Sequence, residues 1–341
     1  MIRSLQALRF YAAFAIVIYH ACRQHGIETG SNFINKLFTH QLAFGVDIFF
    51  VISGYVIFSS YTNKPKGALY FIIDRIIRIA PMYWFTTIIF TAMLYINFDI
   101  YPLSDISFDG ILKSLLFIPS KNLQGIYLPV HSVGWSLNME VAFYALMSIS
   151  IVLFSKRIEI PLIILVSLLY VISGSFDFMS FYHNGIVFEF LLGVLVAVIT
   201  KSKLRKPTLS KKYLWIIVSL CVIAMMLLSD KYRFIYWGIP SFLIVLCLVY
   251  SEVEIKTSDL MMFLGASSYS LYLIHRIVIS SMLWIFGNSG NAIVFIASSV
   301  LLSVAVAALT YLYVERPVGI WLKNRILISK ERDGGLRQGG I

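Results

Sequence analysis

Ten long apolar segments recur along the chain, and they constrain the fold more than any other feature. Each has about 20 residues, the length that an α-helix needs to cross the hydrocarbon core of a bilayer. Hydrophobic residues make up 59% of the chain and charged residues only 13%, too few charges for the surface of a soluble domain. The sequence therefore predicts an all-α, polytopic integral membrane bundle of about ten transmembrane helices. Their centres lie near Ala13, Ile52, Thr87, Ala145, Leu165, Leu192, Val218, Val245, Ile277 and Val304.

The lysines and arginines predict the orientation of this bundle. If both termini are cytoplasmic, basic residues on the inner side outnumber those on the outer side about threefold, as the positive-inside rule requires. Membrane topology thus accounts for the net charge of +11 without a nucleic-acid partner. We expect a transmembrane domain over residues 1–321 and a disordered, basic cytoplasmic tail over residues 322–341. The one long loop, residues 98–132, is expected to carry a short interfacial helix at residues 111–118.

This topology places several ionisable residues at one depth, in the outer halves of their helices. His20 lies near the end of the first helix, and Asp47, Glu140 and Glu189 lie early in the second, fourth and sixth. Ionisable groups inside membrane spans are costly, so they usually line a cavity or pair with one another. We expect these residues to share an outer cavity.

Arg9 and His20 are eleven positions apart, which places them on one helical face about 16 Å apart along the axis. The residues between them on that face are Ala12, Ala13 and Ile16, which would leave a groove or permit close helix packing. In an alternative interpretation, Arg9 and His20 only extend their polar ends to opposite headgroup layers.

Asp47 lies in the apolar stretch FGVDIFFVISGY, residues 44–55. A carboxylate there could orient an imidazole from the first helix and stabilise its protonated form, as in histidine-based acyl transfer. The alternative is a carboxylate in the first helical turn that is favoured by the helix dipole.

Arg75 and Arg78 open the third helix in the stretch DRIIRIAPMYW, residues 74–84. Residues three apart point the same way on a helix, and two guanidiniums beside the backbone donors of a helix start can bind phosphate groups. Positive-inside anchoring is the alternative.

The stretch HSVGWSLNMEVAFYAL, residues 131–146, is the densest in polar residues. Ser136, Glu140 and Tyr144 recur at intervals of four on one face, with Trp135 at the outer interface. This pattern favours a cavity wall, and the alternative is an internal packing network. His275, in the stretch SSYSLYLIH, could line the same cavity or pack beside Arg276.

Searches for other motifs find no P-loop, no Gly-x-Ser-x-Gly, no His-Glu-x-x-His and no paired Cys-x-x-Cys. Hydrolase, ATPase and zinc-enzyme functions therefore have no local support, and we expect no metal. The three cysteines all lie in apolar segments and indicate no disulfide framework.

Taken together and in order, these stretches resemble the acyltransferase 3 family of bacterial membrane proteins, most closely its exopolysaccharide acetyltransferases. LQALRFYAAFAIVIYH is similar to the family's first helix, and FGVDIFFVISGYVI to its second. Further similarity lies in RIIRIAPMYW, WSLNMEVAFY, FEFLLGVLVA, SYSLYLIH and ERP. Gln6 departs from the pattern, because many members carry an aspartate shortly before the arginine.

The resemblance implies a multi-pass enzyme of the bacterial inner membrane that moves an acyl group, often acetyl, from cytoplasmic acyl-CoA to a sugar hydroxyl. The acceptor would be an extracytoplasmic glycan or its lipid-linked precursor, and polysaccharide-assembly proteins are possible partners. In this scheme Arg75 and Arg78 hold the CoA phosphates, and Arg9 helps to bound the path of the pantetheine arm. His20 is the general base, with Asp47 or Glu140 orienting it. The residues assigned to the acceptor are Trp135, Ser136, Tyr144, Glu189 and His275.

A proton-coupled transporter or flippase of a glycan precursor is the alternative function, because such carriers also bury Asp, Glu and His in their spans. It is less favoured, since the sequence shows neither inverted repeats nor Gly/Pro-broken helices at matching positions.

Overall fold

The computed structural model describes residues 2–25, 40–96, 105–154, 157–201, 211–228, 230–250, 257–287 and 291–328. Within these ranges the backbone is helical almost throughout, and an isolated bridge between Lys121 and Tyr127 is the nearest approach to a β-strand. The predicted all-α class is confirmed.

Thirteen α-helices lie within the described ranges, and each of the ten predicted centres falls inside one of them. The short helix expected at residues 111–118 is present as α4, three residues earlier. The helices are α1 (Arg3–Gln24), α2 (Gly45–Asn63), α3 (Ala68–Tyr95), α4 (Phe108–Leu115), α5 (Trp135–Leu153), α6 (Glu159–Ser173), α7 (Val187–Lys201), α8 (Lys211–Leu227), α9 (Ile239–Tyr250), α10 (Asp259–Ala266), α11 (Ser268–Phe286), α12 (Ala292–Thr310) and α13 (Arg316–Leu322).

Six helical segments of the described chain are long and apolar enough to cross a membrane. Three shorter apolar helices accompany them, at Glu159–Ser173, Lys212–Leu227 and Phe234–Val249. These lengths and compositions are typical of a membrane protein, whereas ten spans and cytoplasmic termini stay predictions. The six long segments are Arg3–Gln24, Gln41–Asn63, Ala68–Tyr95, Ser132–Leu153, Ser268–Phe286 and Ala292–Leu327.

The chain divides into two compact units, each built from separate stretches of sequence. The first unit comprises Met1–Thr62 and Gly185–Ala307, and the second comprises Asn63–Asn184 and Ala308–Ile341. The predicted boundary after residue 321 falls inside the second unit, where a π-helical segment, Lys323–Ile328, follows α13. Residues 329–341 of the predicted tail lie outside the described ranges.

Glycine permits the closest helix contacts of the first unit. A Cβ atom on Gly45 would overlap the carbonyl oxygen of Ala12 and the side chain of Ile16, so α2 begins directly against α1. Where α2 crosses α7, Gly54 lies against the backbone of Phe190 in the same way. Ala12 and Ile16 of α1 therefore take part in close helix packing, one of the two roles that the sequence left open, while Ala12 also lines the cavity described below.

In the second unit, α3 packs against α5 and α13, and α5 packs against α6. The loop before α5 is tied to the segment Asp177–Tyr182 by Lys121, which donates hydrogen bonds of 2.9 and 2.7 Å to the carboxylate of Asp177. These hydrogen bonds raise the pKa of Lys121. The pair is exposed, so it contributes little to stability.

Candidate functional site

His20 lies near the end of α1 and is hydrogen-bonded to a residue of α11. Its Nδ1 atom is 3.1 Å from a guanidinium nitrogen of Arg276, which is almost completely buried, at 1% exposed. A guanidinium can only donate, so Nδ1 must accept, and the neutral ring then carries its proton on Nε2. The contact therefore identifies Nδ1 as the basic atom of His20.

His275 lies beside this pair on α11, with its ring centroid 5.1 Å from that of His20. Its Nδ1 is 3.1 Å from the carbonyl oxygen of Leu271. A carbonyl can only accept, so Nδ1 of His275 donates, and Nε2 carries the lone pair when the ring is neutral. The structure thus places two imidazoles, each with a defined tautomer, side by side in an apolar part of the first unit.

Tyr19 and Arg23 extend this group along α1. The ring of Tyr19 packs edge-on against His20 at 4.6 Å between centroids. Arg23, which is exposed, donates a hydrogen bond of 2.8 Å to the hydroxyl of Tyr19. We call Tyr19, His20, Arg23, His275 and Arg276 the His20 cluster.

Asp47 is bound by an arginine from a distant part of the chain, Arg233. Arg233 donates hydrogen bonds of 2.9 and 2.8 Å to the two oxygens of Asp47, which is fully buried. Glu189, also fully buried, interacts electrostatically with both and packs against Gly238, where a larger residue would crowd its carboxyl group. The role of orienting His20 that we expected for Asp47 stays a prediction.

An apolar cavity of about 590 Å³ lies along α1, between it and helices α8, α9 and α10. The α1 residues that line it include Ser4, Leu8, Tyr11 and Ala15. At 100° per residue this face is roughly 140° around the helix from Arg9 and His20. The cavity is therefore centred away from the Arg9–His20 face, which it reaches at Ala12, and the pantetheine path predicted there stays a prediction.

In the second unit Glu140 is paired with Tyr144, one helical turn further along α5. The Tyr144 hydroxyl donates a hydrogen bond of 2.6 Å to Glu140, and the Tyr144 side chain is buried. Arg75 and Arg78 of α3 are close enough to Tyr144 to interact with it electrostatically. The structure thus brings Glu140, Tyr144 and the two predicted phosphate-binding arginines into one polar region.

Arg75 already has an acidic partner in this region. It donates a hydrogen bond of 2.6 Å to one oxygen of Asp74, and Lys323 donates one of 2.8 Å to the other. Arg78 is exposed. An incoming phosphate would therefore meet the exposed guanidinium of Arg78 first, with Arg75 and Lys323 nearby.

The other predicted residues of α5, Trp135 and Ser136, lie at its start. Ser136 donates a hydrogen bond of 3.1 Å to the carbonyl oxygen of Val133, within its own helix start. Trp135 is half-buried at the same end. Ser136, Glu140 and Tyr144 share a helical face, and a side-chain hydrogen bond joins Glu140 and Tyr144.

Sequence reasoning missed three residues that complete these groups, namely Arg233, Arg276 and Lys323. Arg276 carried a usable signal, because an arginine inside an apolar helix is costly and needs a role. Arg233 carried none, since it lies 186 positions from Asp47. Of the predicted residues, Arg9, His20, Asp47, Glu189 and His275 lie in the first unit, and Arg75, Arg78, Trp135, Ser136, Glu140 and Tyr144 lie in the second.

Within the described ranges, no group of three or more His, Cys, Asp or Glu side chains is placed to hold a metal ion. Cys22, Cys221 and Cys247 are buried free thiols.

A family model for an acyltransferase domain matches residues 2–312. The chain belongs to the acyltransferase 3 family. It is 29% identical over 290 residues to the exopolysaccharide production protein ExoZ of Rhizobium meliloti, covering 81% of this chain and 89% of ExoZ. It is 27% identical over 366 residues to the O-acetyltransferase OatA of Staphylococcus aureus, covering 92% of this chain but only 56% of OatA. No solved structure matched the chain.

Membership of this family makes the protein an acyltransferase, and its apolar helices make it a membrane protein. The His20 cluster and the polar region around Glu140 and Tyr144 both lie within the matched residues, apart from Lys323.

Proposed function

We propose that the protein is an O-acetyltransferase that moves acetyl from cytoplasmic acetyl-CoA to a sugar hydroxyl of an extracytoplasmic or lipid-linked glycan. The relatives named as an O-acetyltransferase and as an exopolysaccharide production protein support this reaction and this class of acceptor. The observation that carries the proposal is the His20 cluster, in which an imidazole with a defined basic nitrogen lies among apolar helices.

We further propose that ten helices span a bacterial inner membrane, with both termini in the cytoplasm. The positive-inside bias of the loops supports this orientation. The presence of a helix at every predicted centre supports the number. Polysaccharide-assembly proteins are the partners that this location would offer.

The chemistry follows from the tautomer of His20. The acceptor hydroxyl replaces Arg276 on Nδ1 and gives its proton to that atom as its oxygen attacks the thioester carbonyl carbon. The tetrahedral intermediate then expels the CoA thiolate as the carbon–sulfur bond breaks. The imidazolium returns the proton to the thiolate, so that the products are the acetyl ester, CoA and neutral His20.

In this proposal Arg78, Arg75 and Lys323 bind the phosphates of acetyl-CoA. The residues fit such a ligand, because Arg75 and Lys323 share a single carboxylate, Asp74, and Arg78, one turn along α3 from Arg75, is exposed. Arginine also matches phosphate geometry with two parallel hydrogen bonds. The roles of Arg9, Asp47, Glu140, Glu189 and the residues assigned to the acceptor remain part of the proposal.

Replacement of His20 tests the reaction directly. In membranes that contain His20→Ala, transfer of labelled acetyl from acetyl-CoA to the glycan should fall at least about 100-fold, the usual contribution of a general base. His25→Ala is the matched control, because His25 caps the end of α1, five residues after His20, and its ring packs against Phe295. Wild-type transfer by His20→Ala, or an equal loss in the control, would contradict the assigned role.

A further inference from the structure

Two arginines contact the Tyr19–His20 pair from different helices. Arg23 of α1 is hydrogen-bonded to Tyr19 at 2.8 Å, and Arg276 of α11 is hydrogen-bonded to His20 at 3.1 Å. We propose that these two guanidiniums form a binding site for an anionic group of the acceptor, a carboxylate or a phosphate, beside the hydroxyl that is acetylated. This inference rests on the proposed function, since it specifies the class of glycan accepted at the same site.

The charges of the two arginines act against each other. Arg23 and Arg276 are close enough for their positive charges to repel. Arg276 is also buried, where such repulsion is weakly screened. An anion bound between like charges removes this repulsion, so the arrangement favours a negatively charged ligand.

Arg233 provides a contrast within the same unit. Its guanidinium meets a carboxylate in a two-pronged ion pair with Asp47, and Glu189 is nearby. Arg233 thus lies against buried acids, whereas Arg23 and Arg276 lie within repulsive range of each other beside the proposed catalytic base.

Solvent exposure decreases through the His20 cluster from Arg23 to Arg276. Arg23 is exposed, Tyr19 and His20 are half-buried, and Arg276 is buried. An anionic sugar would therefore meet Arg23 first and Arg276 last, with His20 between them in exposure. Guanidinium groups suit this task, because their planar forks bind carboxylate or phosphate with paired, charge-assisted hydrogen bonds.

The test compares two acceptors that differ only in charge. The first is unacetylated, delipidated polysaccharide from cells that lack this protein, and the second is the same material after reduction of its carboxylates to alcohols and removal of its phosphates. With acetyl-CoA as donor, the wild type should show a kcat/KM for the intact glycan about tenfold or more above that for the neutral glycan. Lipid diphosphate-linked neutral glycan forms a third arm, and a preference confined to it would assign the anion to the lipid carrier.

The variant that carries the test is Arg23→Gln, because its exposed side chain can be changed with little risk to folding. In this variant the kcat/KM for the intact glycan should fall close to that for the neutral glycan, mainly because the KM for the intact glycan rises. The KM for acetyl-CoA should be unchanged. Arg23→Lys should keep part of the preference in kcat/KM for the intact glycan. Arg3→Gln is the matched control, since Arg3 is an exposed arginine at the other end of α1, and it should keep the full preference.

The outcomes separate this inference from the proposed function. Acetylation of intact and neutral glycans at equal rates by the wild type would overturn the anion site while leaving the acetyltransferase intact. So would a native acceptor that holds neither carboxylate nor phosphate. Failure to acetylate any of the acceptors would contradict the proposed function itself, and the anion site with it.

Discussion

The side chain of Asp47 shows how much one residue depends on a distant partner. The sequence placed a carboxylate in the first turn of an apolar helix, where a solitary charge would be costly. The structure gives it Arg233, whose guanidinium binds both oxygens, and Glu189 as an acidic neighbour. A residue that we expected to serve His20 is thus held in a buried ion pair of its own.

This pair leads to a prediction about stability. Arg233→Gln leaves Asp47 buried without its cation. Breaking a buried ion pair in this way lowers the free energy of unfolding by about 3–5 kcal/mol, and we expect a value near the lower end. The lower end applies because a quarter of the Arg233 side chain, 25%, is exposed. Thermal unfolding of the purified protein in detergent should show a lower midpoint for this variant than for the wild type.

The double variant Asp47→Asn/Arg233→Gln is the control for the pair. It removes both charges, so it should unfold at a higher temperature than Arg233→Gln alone. If the single and double variants unfold together, Arg233 does not stabilise Asp47 through its charge.

Among the helices, α3 and α5 show what periodicity can and cannot predict. The interval of four residues correctly placed Ser136, Glu140 and Tyr144 on one face of α5, and the interval of three placed Arg75 and Arg78 on α3. Periodicity did not indicate that Tyr144 would lie within electrostatic range of both arginines. That proximity results from the packing of α3 against α5.

The start of α3 carries the prediction that belongs to this scale. Arg75→Gln/Arg78→Gln should weaken acetyl-CoA binding to the purified protein at least about tenfold, because each phosphate contact is a charge-assisted hydrogen bond. Isothermal titration calorimetry would measure the Kd. Lys64→Gln/Lys113→Gln removes two positive charges elsewhere in the same unit and should leave the Kd unchanged. An equal Kd for both double variants and the wild type would exclude the phosphate site.

For the whole molecule, the division into two units is the feature that no local pattern indicated. The first unit joins the beginning of the chain to residues 185–307, and the second joins the middle to the end. Hydropathy located the ten predicted apolar helices because each one carries its own signal. It did not predict which helices pack together, since nearly all of them are apolar on most faces.

The proposed topology is tested at this scale by labelling single cysteines with a membrane-impermeant maleimide. In a background that lacks the three buried cysteines, intact cells should label Gln124→Cys in the long loop but not Lys64→Cys in the loop between α2 and α3. Both positions are exposed, so both should react after the cells are permeabilised. The reverse pattern in intact cells would place the termini outside.

The sequence by itself determined the class of fold, the position of every predicted apolar helix and the family, because hydropathy, periodicity and ordered motifs are properties of short stretches. It also identified His20 and His275 as candidates. Only the tertiary structure decided that Arg276 binds His20, that Arg233 binds Asp47 and that Lys323 binds Asp74. These partners lie on other helices, far along the chain. Ion pairs and hydrogen bonds act over a few ångströms, so they are set by how helices pack and leave no periodic trace in the sequence.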